Sequence, residues 1–218
     1  MNGASAPGEA TMATVVRTTR TPTEARPVAP PAETGGGGRR RFSAVEFERM
    51  VELGLFPETE RVELLGGDLF TMSPTGYRHQ SCVDRLAHYL WSLLGARAQI
   101  RVQGPVRLSD ELEPLPDVQL LSPRTDFYGQ AHPGPTNALL VIEVMDTSAA
   151  HDRGVKLGFY ARSGVREVWL VDLNREWVET YRRPDGELYR ENVVVKRGEG
   201  LTPEAFPEAT LAVDDVLG

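Results

Sequence analysis

The sequence has little cysteine and no long hydrophobic run, and each shortage excludes a class of protein. Its 218 residues include one cysteine, Cys82, so neither an internal disulfide framework nor a cysteine-rich zinc site can form. This cysteine usage is typical of a reducing compartment, and we predict a cytoplasmic location. No apolar run approaches the roughly 18 residues of a membrane span. The N-terminus also lacks the apolar segment of a secretory signal.

The first 41 residues lack aromatic side chains and are rich in Ala, Thr, Pro and Gly. Such a segment buries too little apolar surface to offset the entropy lost on ordering, which predicts a disordered basic tail over residues 1–41. The remaining residues 42–218 are enough for one folded domain. The tail ends in Arg39-Arg-Arg41, which we interpret as a solvated basic end, with contact to a nucleic-acid backbone as the alternative.

The predicted domain lacks net positive charge. The tail contains six arginines and three acidic residues, which leaves 18 basic and 28 acidic side chains and a net charge of −10 for residues 42–218. A surface of this sign repels a polyanion at long range, which counts against tight non-specific DNA binding. A carboxylate cluster that binds a metal would itself add negative charge, so a nucleic-acid substrate is not excluded.

Hydrophobic periodicity predicts a mixed central β-sheet flanked by helices, in the α/β or α+β class. The predicted helices are 43–53, 77–94 and 152–162. The predicted strands are 61–65, 68–72, 99–103, 118–121, 139–145, 168–172, 177–182 and 188–196. The order strand, helix, strand over 139–172 predicts a right-handed crossover and a parallel pair, whereas the two hairpins predict antiparallel neighbours.

An acidic residue interrupts the most apolar segment of the chain. Glu143 lies within Leu139–Met145, a run typical of a central strand that is covered on both faces. Burying a lone carboxylate is costly unless it is paired or binds a metal, so Glu143 is a candidate metal ligand, with an arginine-paired acid as the alternative. Asp117 follows Pro116 and begins an extended segment. If Asp117 lies next to Glu143 on a neighbouring strand, it would form one half of a metal site.

A lysine lies on the helix that follows Glu143. Lys156 is four residues after Asp152 and four before Tyr160, so the predicted helix places all three on one face. A lysine beside a metal site would position a water molecule or lower its pKa. The alternative is a surface pair between Asp152 and Lys156, worth a few tenths of a kcal/mol.

Two further polar residues lie in the first half of the domain. Glu63 lies between Val62 and Leu64, and strand alternation places it on the opposite face, where we expect a solvated acid. His79 lies one turn before Val83 on the edge of an apolar helical stripe. A histidine in this position is more typical of a packed or capping residue than of a metal ligand.

Taken together, these motifs resemble a known family. In chain order they are Glu63-Leu-Leu-x-Gly-x-Leu, Met72-Ser-Pro, His79, Pro116-Asp117, Ile142-Glu-Val, Asp152-Arg-x-x-Lys156, Tyr160 and Gly164-Val-x-Glu-Val-Trp-Leu-Val-Asp172. The succession resembles the Uma2 family of restriction-endonuclease-like proteins, within the PD-(D/E)XK nuclease superfamily. The resemblance extends over about residues 42–217 and implies a restriction-endonuclease-like fold.

The resemblance also implies a set of metal ligands. Asp117 and Glu143, together with the backbone carbonyl of Val144, would bind Mg²⁺ or Mn²⁺ through oxygen atoms. Glu63 would bind a metal-bound water or a second ion.

The catalytic lysine would occupy an unusual place. The superfamily's usual lysine falls two residues after the acid, where this chain has Met145, and the resemblance transfers its role to Lys156. Lys156 would orient or deprotonate the attacking water and stabilise charge on the phosphate. His79, Asp152 and Tyr160 would surround the metal ligands or contact the phosphate.

Together with these residues, the resemblance implies a divalent-metal-dependent endonuclease that hydrolyses phosphodiester bonds in DNA. One alternative is a catalytically inactive module that keeps the nuclease fold to bind nucleic acid or protein, and another is a hydrolase that acts on a different phosphate ester. DNA is therefore the expected partner, a membrane is not expected, and a homodimer is left open.

Overall fold

A six-stranded mixed sheet forms the centre of the part of the chain that the structure describes. The structure is a computed structural model that describes residues 38–72, 74–146 and 152–218, with Asp152 and Arg153 described by their backbone alone. The predicted tail lies outside these residues, except for its last four, so its disorder stays a prediction. None of the described helices combines the length and apolarity that a membrane span requires.

The secondary structure follows the predicted order closely. The strands are β1 (Arg61–Leu65), β2 (Asp68–Met72), β3 (Gln99–Val102), β4 (Leu112–Glu113), β5 (Val118–Leu121), β6 (Ala138–Met145), β7 (Glu167–Asp172), β8 (Trp177–Asp185), β9 (Leu188–Lys196), β10 (Gly200–Leu201) and β11 (Leu211–Ala212). The helices are α1 (Ala44–Glu52), α2 (Tyr77–Leu94), α3 (Leu157–Arg162) and α4 (Val213–Leu217). A 3₁₀ turn, Gly95–Arg97, follows α2, and a π-helical turn, Asp152–Lys156, precedes α3.

The central sheet has the strand order β3-β5-β6-β7-β8-β9. β6 and β7 are parallel, as predicted from the intervening helix, and the other neighbours are antiparallel. The predicted mixed sheet flanked by helices is therefore confirmed.

The first hairpin does not join this sheet. β1 and β2 pair across Gly66-Gly67, and both glycines have positive φ, as a tight two-residue turn requires. The free edge of β1 pairs with β4, which gives a separate three-stranded sheet in the order β2-β1-β4. The sequence gives no sign of this pairing because β4 is only two residues long.

The two faces of β6 pack against different helices. Leu140, Ile142 and Val144 pack with the buried stripe of α2, and Val141 and Met145 pack on the opposite face. Strand alternation therefore directs Glu143 to the Val141 side. Tyr160 of α3 belongs to the core on that side, so α3 lies over the face that carries Glu143.

Local sequence sets the start of α1. The side chain of Ser43 accepts a hydrogen bond from the Glu46 N–H, and the Glu46 carboxylate accepts one from the Ser43 N–H. This reciprocal capping box confirms the predicted helix start. Phe47 of α1 then packs with Val62 and Leu64 of β1 in a third, smaller core.

Candidate active site

Asp117 immediately precedes β5, and its carboxylate bridges two elements. Its Oδ2 accepts a hydrogen bond from the backbone N–H of Val144 at 2.9 Å, and lies 3.0 Å from Nε2 of His79 in α2. Asp117 is buried. The carboxylate that the sequence singled out is therefore held against the end of β6, one residue beyond Glu143.

The backbone carbonyl of Val144 faces the same side as Asp117. β5 and β6 pair antiparallel with Val118 opposite Ile142, and this register, continued along β6, sets Val144 opposite Pro116. A strand residue in such a pair directs its N–H and its carbonyl to the same neighbour. Pro116 has no N–H to donate. The Val144 carbonyl thus keeps acceptor capacity on the side that already holds Asp117.

Glu143 is the centre of a second set of contacts. Its Oε1 accepts a hydrogen bond from the Tyr160 hydroxyl at 2.6 Å and lies 3.3 Å from Nζ of Lys156. Lys156 Nζ also lies 3.0 Å from Oε2 of Glu63, which accepts a hydrogen bond from the Leu115 N–H at 3.3 Å. Residues from the hairpin, from β6 and from the α3 region therefore meet in one network.

Every charged member of this network is buried. Lys156, Glu63 and Glu143 are each 2% exposed. Glu63 was expected to be a solvated acid, and that expectation is wrong, although alternation places it correctly on the face opposite Val62 and Leu64. Both faces of β1 are covered, one by α1 and the other by the core under α3. Lys156 likewise does not form a surface pair.

The turn that carries Lys156 differs from the predicted α-helix. Residues Asp152–Lys156 form a π-helical turn, which continues as α3. Single π-turns within helices occur frequently at functional sites. Lys156 and Tyr160 share one face, as predicted, since both contact Glu143. The side chain of Asp152 is not among those that the structure describes.

His79 is a buried histidine with one ring nitrogen on Asp117. Nε2 makes that contact, and Nδ1 is buried without a hydrogen-bond partner among the described residues. The expectation of a packed histidine is right in its burial but missed the contact with Asp117. If Nε2 carries the proton, it fixes the orientation of the carboxylate, as partners of metal-ligating groups commonly do.

A different group of side chains has the spacing of a metal site. One ligand atom from each of Glu48, Glu113 and His132 lies within 4.8 Å of the others. The guanidinium of Arg107 already pairs with both glutamates, with its Nε 3.0 Å from Glu113. Burial raises the pKa of Glu113, while the hydrogen bond from Arg107 lowers it. Sequence spacing could not reveal this group because three separate elements supply it.

A surface cleft of about 400 Å³ near the start of α2 includes Arg78, Arg85 and Arg197 in its lining, but not Asp117 or Glu143. Arg85 donates hydrogen bonds to the carbonyls at the end of α4, so at least one of these arginines has a structural role.

Comparison with known proteins decides the family. The sequence profile of the Uma2 family, described as "Putative restriction endonuclease", matches residues 44–214. The chain belongs to the Uma2 family. This confirms the resemblance drawn from the motifs between Glu63 and Asp172.

The fold of this Uma2 protein is shared with a solved structure. It superposes on the crystal structure of "a putative nuclease belonging to DUF820" from Anabaena variabilis with a TM-score of 0.60 and 16% identity, covering 77% of this chain and 96% of the other. At this identity the likeness establishes the fold alone. An uncharacterized protein from Synechocystis sp. is 28% identical over 130 residues, which cover 57% of this chain and 73% of the relative.

Proposed function

We propose that this Uma2 protein hydrolyses phosphodiester bonds in DNA with the help of a bound divalent cation, Mg²⁺ or Mn²⁺. The observation that supports the proposal most strongly is the buried network in which Lys156 contacts both Glu63 and Glu143, one residue from the Val144 N–H that binds Asp117.

The donor set fits a hard cation. Asp117, Glu143 and the Val144 carbonyl would supply oxygen atoms only, which Mg²⁺ and Mn²⁺ prefer. When bound, such an ion supplies charge for the phosphate and acidifies a coordinated water. Among the described residues, Asp117 and Glu143 belong to no group of three His, Cys, Asp or Glu side chains whose ligand atoms lie within 4.8 Å of one another. Water and substrate oxygens would therefore fill the remaining positions.

Each of the surrounding side chains would then have a separate role. Tyr160 holds Oε1 of Glu143 through its hydroxyl, and Glu63 holds Nζ of Lys156 in place by pairing with it. From this position Nζ would donate a hydrogen bond to the attacking water or to a phosphate oxygen. His79 would keep the Asp117 carboxylate directed at the ligand position.

Burial sets a condition on this function. Asp117 is 4% exposed and Lys156 is 2% exposed, so a phosphodiester reaches them only if neighbouring chain moves aside. When the chain returns over the bound substrate, it would exclude bulk water and strengthen the electrostatic interactions inside the site.

Nicking of supercoiled plasmid tests the proposal. We expect the wild type to nick DNA with Mn²⁺ or Mg²⁺ and not with EDTA, and Glu143→Gln to be inactive. Glu113→Gln serves as the matched control, because it removes a buried carboxylate from the other acidic group, and it should stay active. If the wild type nicks nothing with any divalent ion, the proposal fails and the inactive binding module is favoured.

A further inference from the structure

Arg61 is a cation on the same strand face as the candidate site. It is the first residue of β1, opposite Met72, and Glu63 follows two residues later, opposite Phe70. Alternate residues of a strand point to the same face, and two residues span about 7 Å. Arg61 therefore projects beside Glu63, on the side where Lys156 meets the carboxylates.

One guanidinium nitrogen of Arg61 has no hydrogen-bond partner among the described residues. Its Nη2 is buried and makes no hydrogen bond, and no carboxylate lies within 4.0 Å of it among the described residues. Lys156, by contrast, pairs with two glutamates. A buried charged donor is rarely left unsatisfied, so Nη2 of Arg61 is a candidate for contact with a ligand.

Chain register brings Arg61 close to Asp117. β1 and β4 pair antiparallel with Leu64 opposite Glu113, and this register, continued along β1, sets Arg61 opposite Pro116. The hydrogen bond from the Leu115 N–H to Glu63 holds the intervening segment against β1. Arg61 thus borders the segment that delivers Asp117 to the site.

The charge balance indicates what the partner is. Three carboxylates and Lys156 leave two negative charges, which one divalent cation would neutralise. An incoming phosphodiester then adds a negative charge for which these residues provide no further cation. Arg61 would supply it, and the planar guanidinium matches two phosphate oxygens at once.

We propose that Arg61 binds a phosphate group of the nucleic-acid substrate next to the metal-ligating carboxylates. This inference rests on the proposed function, which supplies the phosphate. It assigns Arg61 to substrate binding rather than to metal binding or to the stability of the fold.

The test measures binding of a fluorescein-labelled 12-base-pair DNA duplex in the presence of Ca²⁺, at several salt concentrations. Arg61→Gln should weaken binding about tenfold or more, the loss expected for one charge-assisted partner. It should also reduce the slope of log affinity against log salt by about 1. Arg61→Lys should restore part of the affinity. Arg49→Gln, which removes an exposed arginine paired with Glu52, should bind like the wild type.

The outcomes separate this inference from the proposed function. If the wild type binds the duplex, Arg61→Gln loses binding and no metal supports cleavage, the inference stands and the proposed function fails. If the wild type cleaves and Arg61→Gln binds with unchanged affinity and salt slope, the inference alone is overturned. A large drop in the melting temperature of metal-free Arg61→Gln, or a wild type that does not bind the duplex, would overturn it as well.

Discussion

Replacing Lys156 by methionine tests whether this lysine neutralises the buried carboxylates. Nζ lies 3.0 Å from Glu63 and 3.3 Å from Glu143, and all three residues are 2% exposed. Methionine keeps most of the side-chain volume but leaves two buried carboxylates without their shared cation. Removing one partner of a buried ion pair costs about 3–5 kcal/mol. For a chain of this size the melting temperature of the metal-free protein should fall by about 6–20 °C.

A divalent cation should reverse part of this loss. Mn²⁺ that binds only the folded state raises its stability, and it would replace the charge that Lys156 supplied. The rise in melting temperature on adding Mn²⁺ should therefore be larger for Lys156→Met than for the wild type. Differential scanning calorimetry in EDTA and in Mn²⁺ measures both quantities.

Two further variants make the comparison specific. Arg162→Met, on the same helical segment, removes an exposed pair with Glu187 and should change stability by no more than about 1 kcal/mol. Adding Glu63→Gln to Lys156→Met should recover part of the lost stability, since one unpaired carboxylate is removed. If metal-free Lys156→Met melts like Arg162→Met, Lys156 does not neutralise the buried carboxylates.

Two contacts of the candidate site and the N-terminal tail provide three other tests. Tyr160→Phe removes the hydroxyl that donates to Glu143 at 2.6 Å. The free energy of unfolding, measured by urea denaturation, should fall by about 1–3 kcal/mol. An unchanged midpoint would count against this hydrogen bond. Asp117→Asn should remove the stabilisation by Mn²⁺ in thermal scans while the metal-free protein stays folded, because the amide oxygen can still accept from Val144; retained stabilisation would place the ion elsewhere. Deleting residues 1–37 should leave the melting temperature nearly unchanged, and a marked fall would show that the tail packs on the domain.

Local signals in the sequence predicted most of the elements around the site. The capping box of Ser43 and Glu46 and the turn at Gly66-Gly67 depend on neighbouring residues alone, so the structure reproduces them. The parallel pair β6–β7 followed from the helix between the two strands. The prediction missed β4 because its two residues are held by pairing with β1, which is distant in sequence.

The chemistry around the candidate site was less visible in the sequence. Strand alternation correctly predicted that Glu63 lies on the face of β1 opposite Val62 and Leu64. No sequence pattern shows that the Glu63 face is covered by the core under α3. Arg61 was missed altogether. The sequence does show a charged residue on the same strand face as Glu63. It does not show that Nη2 is buried without a hydrogen-bond partner among the described residues.

Calorimetric titration with Mn²⁺ shows directly whether Asp117 and Glu143 form a metal site. The wild type should bind one ion, and both Asp117→Asn and Glu143→Gln should lose this binding. His132→Ala, which opens the other acidic group, should bind like the wild type. If the two carboxylate variants bind Mn²⁺ normally and His132→Ala does not, the ion lies with Glu48 and Glu113, and the proposed active site is contradicted.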